Sequence, residues 1–236
     1  MSRRDSKPPS TGLSCFEKAY ALGDTRIEKG FCWPVTEVGE EILSFVSIIK
    51  EKLKGGRILD LGCGEGRISI FLAQHSFECY GIDYVPLAIK RARQFAKKQR
   101  VAGKTHFRTG NVLNLPYPDD FFDIAIDSNC FDHIRKSEWC LYINELLRVL
   151  KMGGFYFLAA FSKNTRHARM MKHNWLVFRG GYDHYFTRSE IRSIFSDHFE
   201  ITQIGEITRH APPSPEFRFH EVLMKRIGKT DGNAGV

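Results

Sequence analysis

The segment LDLGCGEG, residues 59–66, constrains this chain more than any other part of its sequence. A short apolar stretch ends in Asp60, and Gly62, Gly64 and Gly66 follow it directly. Glycine admits left-handed backbone conformations and lets N–H groups approach a ligand at the start of a following helix. A dinucleotide-binding turn has glycine at its first, third and sixth positions, but here Arg67 stands at the sixth. The turn therefore indicates a nucleotide-type cofactor, and its glycine spacing makes a nicotinamide dinucleotide the less favoured one.

An acidic residue follows this turn at an informative distance. Residues 78–82, ECYGI, alternate like a short strand that ends at Asp83, about 20 residues after Gly62. A carboxylate at the tip of the strand next to a glycine turn binds ribose hydroxyls. Alternatively, Asp83 is an ordinary loop residue that caps a helix starting at Pro86. The spacing favours a ribosyl cofactor without choosing which one.

Two later segments narrow the choice. GNVLNLPYPDDFFDIAID at 110–127 and LLRVLKMGGFYFLAAFS at 146–162 follow the glycine turn in order. Together with LDLGCGEG they resemble the class I S-adenosylmethionine-dependent methyltransferases over about residues 55 to 162. LDLGCGEGR, with Arg67, also resembles the tellurite- and thiopurine-methylating branch. The chain departs from the family pattern at Asn111, where aspartate is usual, and at Met152, where proline is usual.

This resemblance implies S-adenosylmethionine as cofactor, S-adenosylhomocysteine as product and no metal. The turn would hold the methionyl part, Asp83 the ribose, and Asn111 with Val112 the adenine edge. Trp33, ahead of a lead-in helix, would shield the sulfonium; hydrophobic anchoring is the alternative. The expected cofactor-binding residues are Trp33, Asp60, Gly62, Cys63, Gly64, Gly66, Asp83, Tyr84, Asn111, Val112, Asp127 and Ser128.

Candidate catalytic residues follow the predicted fourth strand. Methyl transfer needs mainly positioning, with a general base only where the acceptor holds its proton. Asp132 and His133 are the candidates, and an ordinary structural histidine is an equally good interpretation of His133. The segment DSNCFDH lacks the two prolines found here in the family's nucleic-acid amine methyltransferases. Cys130 is expected to be a buried thiol rather than a nucleophile.

The segment 162–186 is predicted to be an irregular insertion or lid on the substrate side. It holds Lys163, Arg169 and Lys172 besides four candidate substrate contacts: Arg166, Arg179, Tyr182 and His184. Guanidinium groups pair well with carboxylates, so a small anionic acceptor with an apolar body is expected. The alternative is a loop with solvated charges. His167 and His173 have no further ligand at metal-binding spacing.

Charge and cysteine content limit the remaining alternatives for partner and location. The net charge is +8, and residues 84–118 contain eight Lys or Arg and no acid. A solvated helix face explains this run better than nucleic-acid binding does. Six cysteines without CxxC spacing and the lack of a long apolar run suggest a cytoplasmic protein without a membrane span. A small-molecule methyltransferase leads; an RNA or protein methyltransferase and a non-catalytic S-adenosylmethionine-binding protein remain alternatives.

The expected fold is α/β: a Rossmann-like, doubly wound, mostly parallel sheet of about seven strands with helices on both faces. The resemblance implies that its last strand is antiparallel. Thr187 with Glu190 predicts a capping box. The expected organisation is a flexible arm at 1–30, one domain at 31–228 and a disordered tail at 229–236. Strands are predicted at 57–61, 78–82, 105–109, 122–127, 154–161, 198–207 and 216–225, and helices at 36–53, 66–75, 86–100, 137–150 and 188–196.

Overall fold

The structure of the protein is a computed structural model. It describes residues 16–17, 20, 26–27, 31–32, 42, 45–48, 55–178, 181–209 and 216–228. Within these ranges, no helix is both long and apolar enough to cross a membrane.

The described elements follow the predicted alternation of strands and helices. The helices are α1 (Arg67–Gln74), α2 (Pro86–Lys98), α3 (Trp139–Val149), α4 (Arg166–Arg169) and α5 (Arg188–Phe195). The strands are β1 (Arg26–Ile27), β2 (Phe31–Cys32), β3 (Arg57–Leu61), β4 (Glu78–Asp83), β5 (Thr105–Thr109), β6 (Phe122–Ser128), β7 (Leu150–Phe161), β8 (Trp175–Phe178), β9 (Gly181–His184), β10 (Phe199–Arg209) and β11 (Phe217–Arg226).

Seven of these strands form one sheet in the order β10-β11-β7-β6-β3-β4-β5. Strands β3 to β7 pair in parallel, whereas β11 runs antiparallel to both β7 and β10. In register, Leu61 lies between Ile82 of β4 and Asp127 of β6. The predicted doubly wound sheet is confirmed, and the carboxyl ends of β3, β4 and β6 meet at one edge, called here the carboxyl edge.

Both faces of the sheet are covered. On β3, Ile58 packs in one layer with Phe45 and Leu72, while Leu59 packs in the other with Leu146 of α3. A parallel strand buried on both sides reads as a continuous apolar run, which is why RILDL was recognisable as a strand. The described part of the predicted lead-in helix, Ile42 and residues 45–48, is helical.

One local prediction differs from the structure. The segment 162–186 is not irregular throughout, because it contains α4 and the antiparallel hairpin of β8 and β9. Helix α2 buries Ala88, Ile89, Ala92 and Ala96, whereas Leu87 and Phe95 are only partly buried.

The start of α5 forms the predicted capping box. The Glu190 N–H donates to Thr187 Oγ1 at 3.1 Å. The Glu190 carboxylate in turn accepts from the Thr187 backbone, and also from His184 Nε2 at 3.0 Å and Asn174 Nδ2 at 3.3 Å; these bonds lower its pKa below the usual value. It thereby ties the helix to the preceding segment.

Replacing Thr187 with alanine should therefore lower the free energy of unfolding by about 1 kcal/mol, because a helix N–H loses its acceptor. Thr187→Ser keeps the hydroxyl and is the matched control. Urea unfolding of both variants and the parent measures the difference. Equal losses in the two variants would show that the threonine methyl, not the cap, stabilises this position.

Candidate functional site

The glycine turn lies at the carboxyl edge. Gly62, Gly64 and Gly66 have φ angles of 66°, 53° and 74°. A Cβ on Gly66 would lie 2.4 Å from the Phe107 ring, so this glycine is needed for packing. A Cβ on Gly64 would instead lie 2.6 Å from the hydroxyl oxygen of Tyr20, in the space above the turn. The Tyr20 hydroxyl therefore lies directly over the Gly64 backbone.

Asp83 lies directly beside this turn. Its Oδ2 accepts from the Gly64 N–H at 2.9 Å, and its Oδ1 accepts from the Val85 N–H at 2.8 Å. Burial raises the pKa of this carboxyl above its usual value, although both hydrogen bonds act in the opposite direction. Asp83 thus joins the tip of β4 to the turn as well as standing where a ribose would be expected. We call this site the cradle; it consists of Gly62–Gly66, Asp83 and Tyr20.

Three other predicted cofactor residues stabilise the surrounding loops. Asp60 is buried and accepts from Ser69 Oγ at 2.6 Å, which joins β3 to α1; burial raises its pKa to about 7. Asn111 Oδ1 accepts from the Leu113 N–H at 2.9 Å. That contact occupies the side-chain oxygen of the residue predicted to lie at the adenine edge. Val112 is buried next to it.

Asp127 organises the turn that follows β6. Its carboxylate is fully buried and accepts from the Cys130 N–H at 2.8 Å, from the Phe131 N–H and from the Tyr142 hydroxyl. Burial raises its pKa to about 6. The turn then passes Cys130 close to Gly62, where an added Cβ would lie 2.7 Å from the Cys130 Cβ. The structure therefore indicates a positioning role for Asp127.

His133, at the end of this turn, lies beside the carboxylate of Asp183, which is not among the predicted site residues. Its Nδ1 lies 2.9 Å from Asp183 Oδ1 and 3.0 Å from the Tyr182 carbonyl oxygen. Asp183 is fully buried. Burial acts against the imidazolium, but the Asp183 carboxylate beside it outweighs burial and raises the pKa of His133 above its usual value.

Asp132, the other predicted catalytic residue, is fully buried behind His133. Its oxygens accept from Asn129 Nδ2 at 2.7 Å and from the Phe161 N–H at 2.9 Å, and burial raises its pKa to about 8. These contacts tie the turn to the end of β7. The geometry therefore favours a structural role for Asp132.

The structure also changes the substrate-side prediction. Tyr182 and His184 lie on the opposite face of β9 from Asp183, because side chains alternate along a strand. Tyr182 Oη lies 3.1 Å from His184 Nδ1, and the His184 ring packs against Trp139. On β9, therefore, the side chain that lies against His133 is that of Asp183, not that of Tyr182 or His184.

Two of the five Lys and Arg residues of 162–186 bind the segment's own backbone. Lys163 Nζ donates to the carbonyl oxygens of Met171 and His173, and Arg169 Nε donates to that of Asn164. Arg166 is exposed on α4, and Arg179 lies outside the described residues. The anionic acceptor therefore stays a prediction.

Two aromatic side chains near the amino terminus cover the site. The Phe16 ring lies 4.9 Å from the His133 ring and 6.2 Å from the Tyr84 ring. Tyr20 lies over Gly64, and burial, followed by the charges of Asp83 and Glu65, raises the pKa of its hydroxyl. Both residues are helical and fall in the stretch predicted as a flexible arm. Residues four apart share one face of a helix, so the spacing of Phe16 and Tyr20 was the sequence signal that could have predicted this cover. Trp33, the predicted cover, lies outside the described residues.

Comparison with known proteins decides the family. A family model described as a methyltransferase domain matches residues 52–197. The chain belongs to this methyltransferase-domain family. The match begins before β3 and ends after α5, so it includes the glycine turn, Asp83 and His133.

Relatives of this methyltransferase domain include norajmaline N-methyltransferase of Rauvolfia serpentina, 33% identical over 139 residues. That alignment covers 58% of this chain and 47% of the relative. The chain thus spans about half the length of the curated relatives it matches.

Two solved structures illustrate the likeness in fold. A SAM-dependent methyltransferase from Methanosarcina mazei has 26% identity and a TM-score of 0.68, covering 76% of this chain and 97% of that one. The 1,6-didemethyltoxoflavin-N1-methyltransferase of Burkholderia thailandensis has 16% identity and a TM-score of 0.69, covering 91% and 87%. The second likeness concerns the fold alone.

The buried carboxylate of Asp132 should make stability depend on pH. Its folded-state pKa of about 8 lies above the ordinary value of 3.8, so between about pH 4 and pH 8 the folded state holds a proton that the unfolded state has lost. Its contribution to stability is therefore present at low pH and lost as the pH rises to about 8.

We expect the free energy of unfolding to fall between pH 5 and pH 8 by a few kcal/mol more in the parent than in Asp132→Asn, at about 1.4 kcal/mol per pKa unit. Denaturant titrations at both pH values measure this, with the exposed Asp197→Asn as control. The same pH dependence in the parent and Asp132→Asn would show that the folded protein ionises Asp132 normally.

Proposed function

We propose that this methyltransferase domain transfers a methyl group from S-adenosylmethionine to a nitrogen atom of a small molecule. The observation that carries the proposal is the cradle joined to the His133–Asp183 pair at one edge of the sheet. Support for nitrogen as the acceptor comes from the N-methyltransferase relatives, which are 33% and 32% identical to this chain.

The residues of the cradle fit the cofactor. The Tyr20 hydroxyl lies above the Gly64 backbone, and Asp83 borders the same space with a carboxylate. In the proposed complex the turn and Asp83 hold the methionyl part and the ribose, with Cys63 and Tyr84 beside them. Asn111 and Val112 border the adenine. When bound, S-adenosylmethionine supplies a methyl group on a positively charged sulfur.

The protein's own contribution would be to position the acceptor and exclude water. Phe16 and Tyr20 lie over the carboxyl edge and would separate the reacting atoms from solvent. Holding two reactants in line can lower a barrier by ~7–11 kcal/mol. In this proposal Tyr20 and Phe16 cover the cofactor, whereas the same role for Trp33, outside the described residues, stays a prediction.

A small acceptor is favoured over RNA because several cations are used internally. Arg91 pairs with Glu65 at 2.9 Å, and Arg93 donates to the Phe107 carbonyl oxygen at 2.7 Å.

The described cysteines bear on the compartment. Cys63, Cys79, Cys130 and Cys140 all carry free thiols. Free thiols suit a reducing compartment, which supports the expected cytoplasmic location.

Cofactor binding can be tested by calorimetry with S-adenosylhomocysteine. Asp83→Ala should weaken binding at least about tenfold, because a hydrogen bond to a charged group contributes ~1.5–3 kcal/mol. The exposed Asp197→Ala is the matched control and should bind like the parent. Circular dichroism checks that Asp83→Ala remains folded. Equal or tighter binding of NADH by the parent would contradict the cofactor assignment.

Methyl transfer itself is tested with radiolabelled S-adenosylmethionine and separate fractions of small metabolites, RNA and protein, with norajmaline as a defined probe. We expect label in small amines and none in RNA. Label confined to RNA or protein would contradict the proposed acceptor class. Cofactor binding without transfer to any fraction would favour a non-catalytic binding protein.

A further inference from the structure

We infer that Asp183 orients His133 as a general base and that the acceptor is therefore an amine that enters the site with its proton. This inference rests on the proposed function and adds to it a positioning residue and a substrate class. It starts from the hairpin β8–β9, which the sequence analysis predicted only as an irregular lid. The hairpin brings a buried carboxylate to the turn after β6.

The environment of His133 determines which ring nitrogen carries the proton. Both groups near Nδ1, the Asp183 carboxylate at 2.9 Å and the Tyr182 carbonyl at 3.0 Å, can only accept hydrogen bonds. Nδ1 must therefore be the donor. In a neutral imidazole the other nitrogen, Nε2, then holds the lone pair and is the basic atom.

In the proposed complex this nitrogen would act at the reaction centre, because the turn that carries His133 packs on the glycine turn. His133 ends the turn that begins with Cys130, which packs against Gly62 of the cradle. The Phe16 ring covers the imidazole at 4.9 Å from the side of the amino-terminal segment. His133 therefore lies between the cradle, the hairpin and the aromatic cover.

The groups around His133 favour its protonated form. Asp183 faces it from β9 and Asp127 from β6, and Asp132, in its own turn, adds a charge only once it ionises at about pH 8. Phe16 and Phe161 are the aromatic rings beside it. An imidazolium formed here is stabilised by Asp183. A fully buried carboxylate in turn requires such a partner, because an isolated buried charge is costly.

The step assigned to His133 is a proton transfer. Its Nε2 takes the proton from the acceptor nitrogen, and the electron pair of the broken N–H bond remains on that nitrogen as a lone pair. The resulting imidazolium later releases the proton to water. An acceptor without a proton on its nucleophile would not need this arrangement. Since the proposed acceptor atom is nitrogen, the expected class is amines and N–H heterocycles that enter the site with their proton.

Nuclear magnetic resonance tests the arrangement without cofactor or acceptor. Long-range proton–nitrogen spectra of labelled protein report the tautomer and titration of each imidazole, and His133→Gln identifies the His133 signals. We expect neutral His133 to carry its proton on Nδ1 and its titration midpoint to lie above 6.5. A neutral His133 with its proton on Nε2 would overturn the inference, and this measurement needs no variant of Asp183.

The Asp183→Asn variant tests the role of the carboxylate. Loss of a neighbouring opposite charge should lower the His133 midpoint by ~1–3 pH units. Asp197→Asn is the matched control and should leave it unchanged. An unchanged midpoint in a folded Asp183→Asn protein would overturn the inference.

Kinetics with an accepted amine provide the second readout. The acid limb of kcat/KM should move to lower pH in Asp183→Asn, and kcat should fall about tenfold or more, because a weaker base takes up the proton. Affinity for S-adenosylhomocysteine should not change. An identical limb and kcat in Asp183→Asn would overturn the inference. Failure of the parent to bind the cofactor would instead contradict the proposed function and leave the imidazole measurements standing.

Discussion

The buried carboxylate of Asp127 is the contact on which the arrangement of the site depends. It stands at the end of β6, accepts two backbone N–H groups of the following turn and receives the Tyr142 hydroxyl from α3. These bonds fix the turn in space, so that Cys130 packs against the glycine turn and His133 reaches Asp183. Without them the sheet could still form, but its carboxyl edge would lack a defined wall on the acceptor side.

The same principle recurs along this edge. Asp60 joins β3 to α1 through Ser69, Asp83 joins β4 to the glycine turn, and Asp132 joins the His133 turn to β7. Burial raises the pKa of each of these carboxyls, because a carboxylate that is removed from water is less stable than one in water. Each is hydrogen-bonded, as buried polar groups must be. In return, loops that would otherwise move hold one geometry, which a positioning enzyme requires.

The cover of the site and its floor come from different parts of the chain. The floor is the carboxyl edge, built by consecutive strand and helix units. The cover consists of Phe16 and Tyr20 from the amino-terminal segment and the hairpin of β8 and β9 from the insertion after β7. Such division is common in open α/β sheets, where the fold supplies the cofactor site and added segments supply specificity.

The sequence by itself determined the sheet, the glycine turn and the acid at the tip of β4. These follow from local patterns: apolar runs for buried strands, glycines for positive φ angles, and a fixed spacing across one parallel strand pair. Only the tertiary structure decided that Asp183, rather than Tyr182, His184 or Asp132, faces His133. Residues 133 and 183 meet through the pairing of a short hairpin whose register sets which face of β9 turns inward. A shift of one residue would have reversed that choice, and no local pattern in 162–186 specifies it.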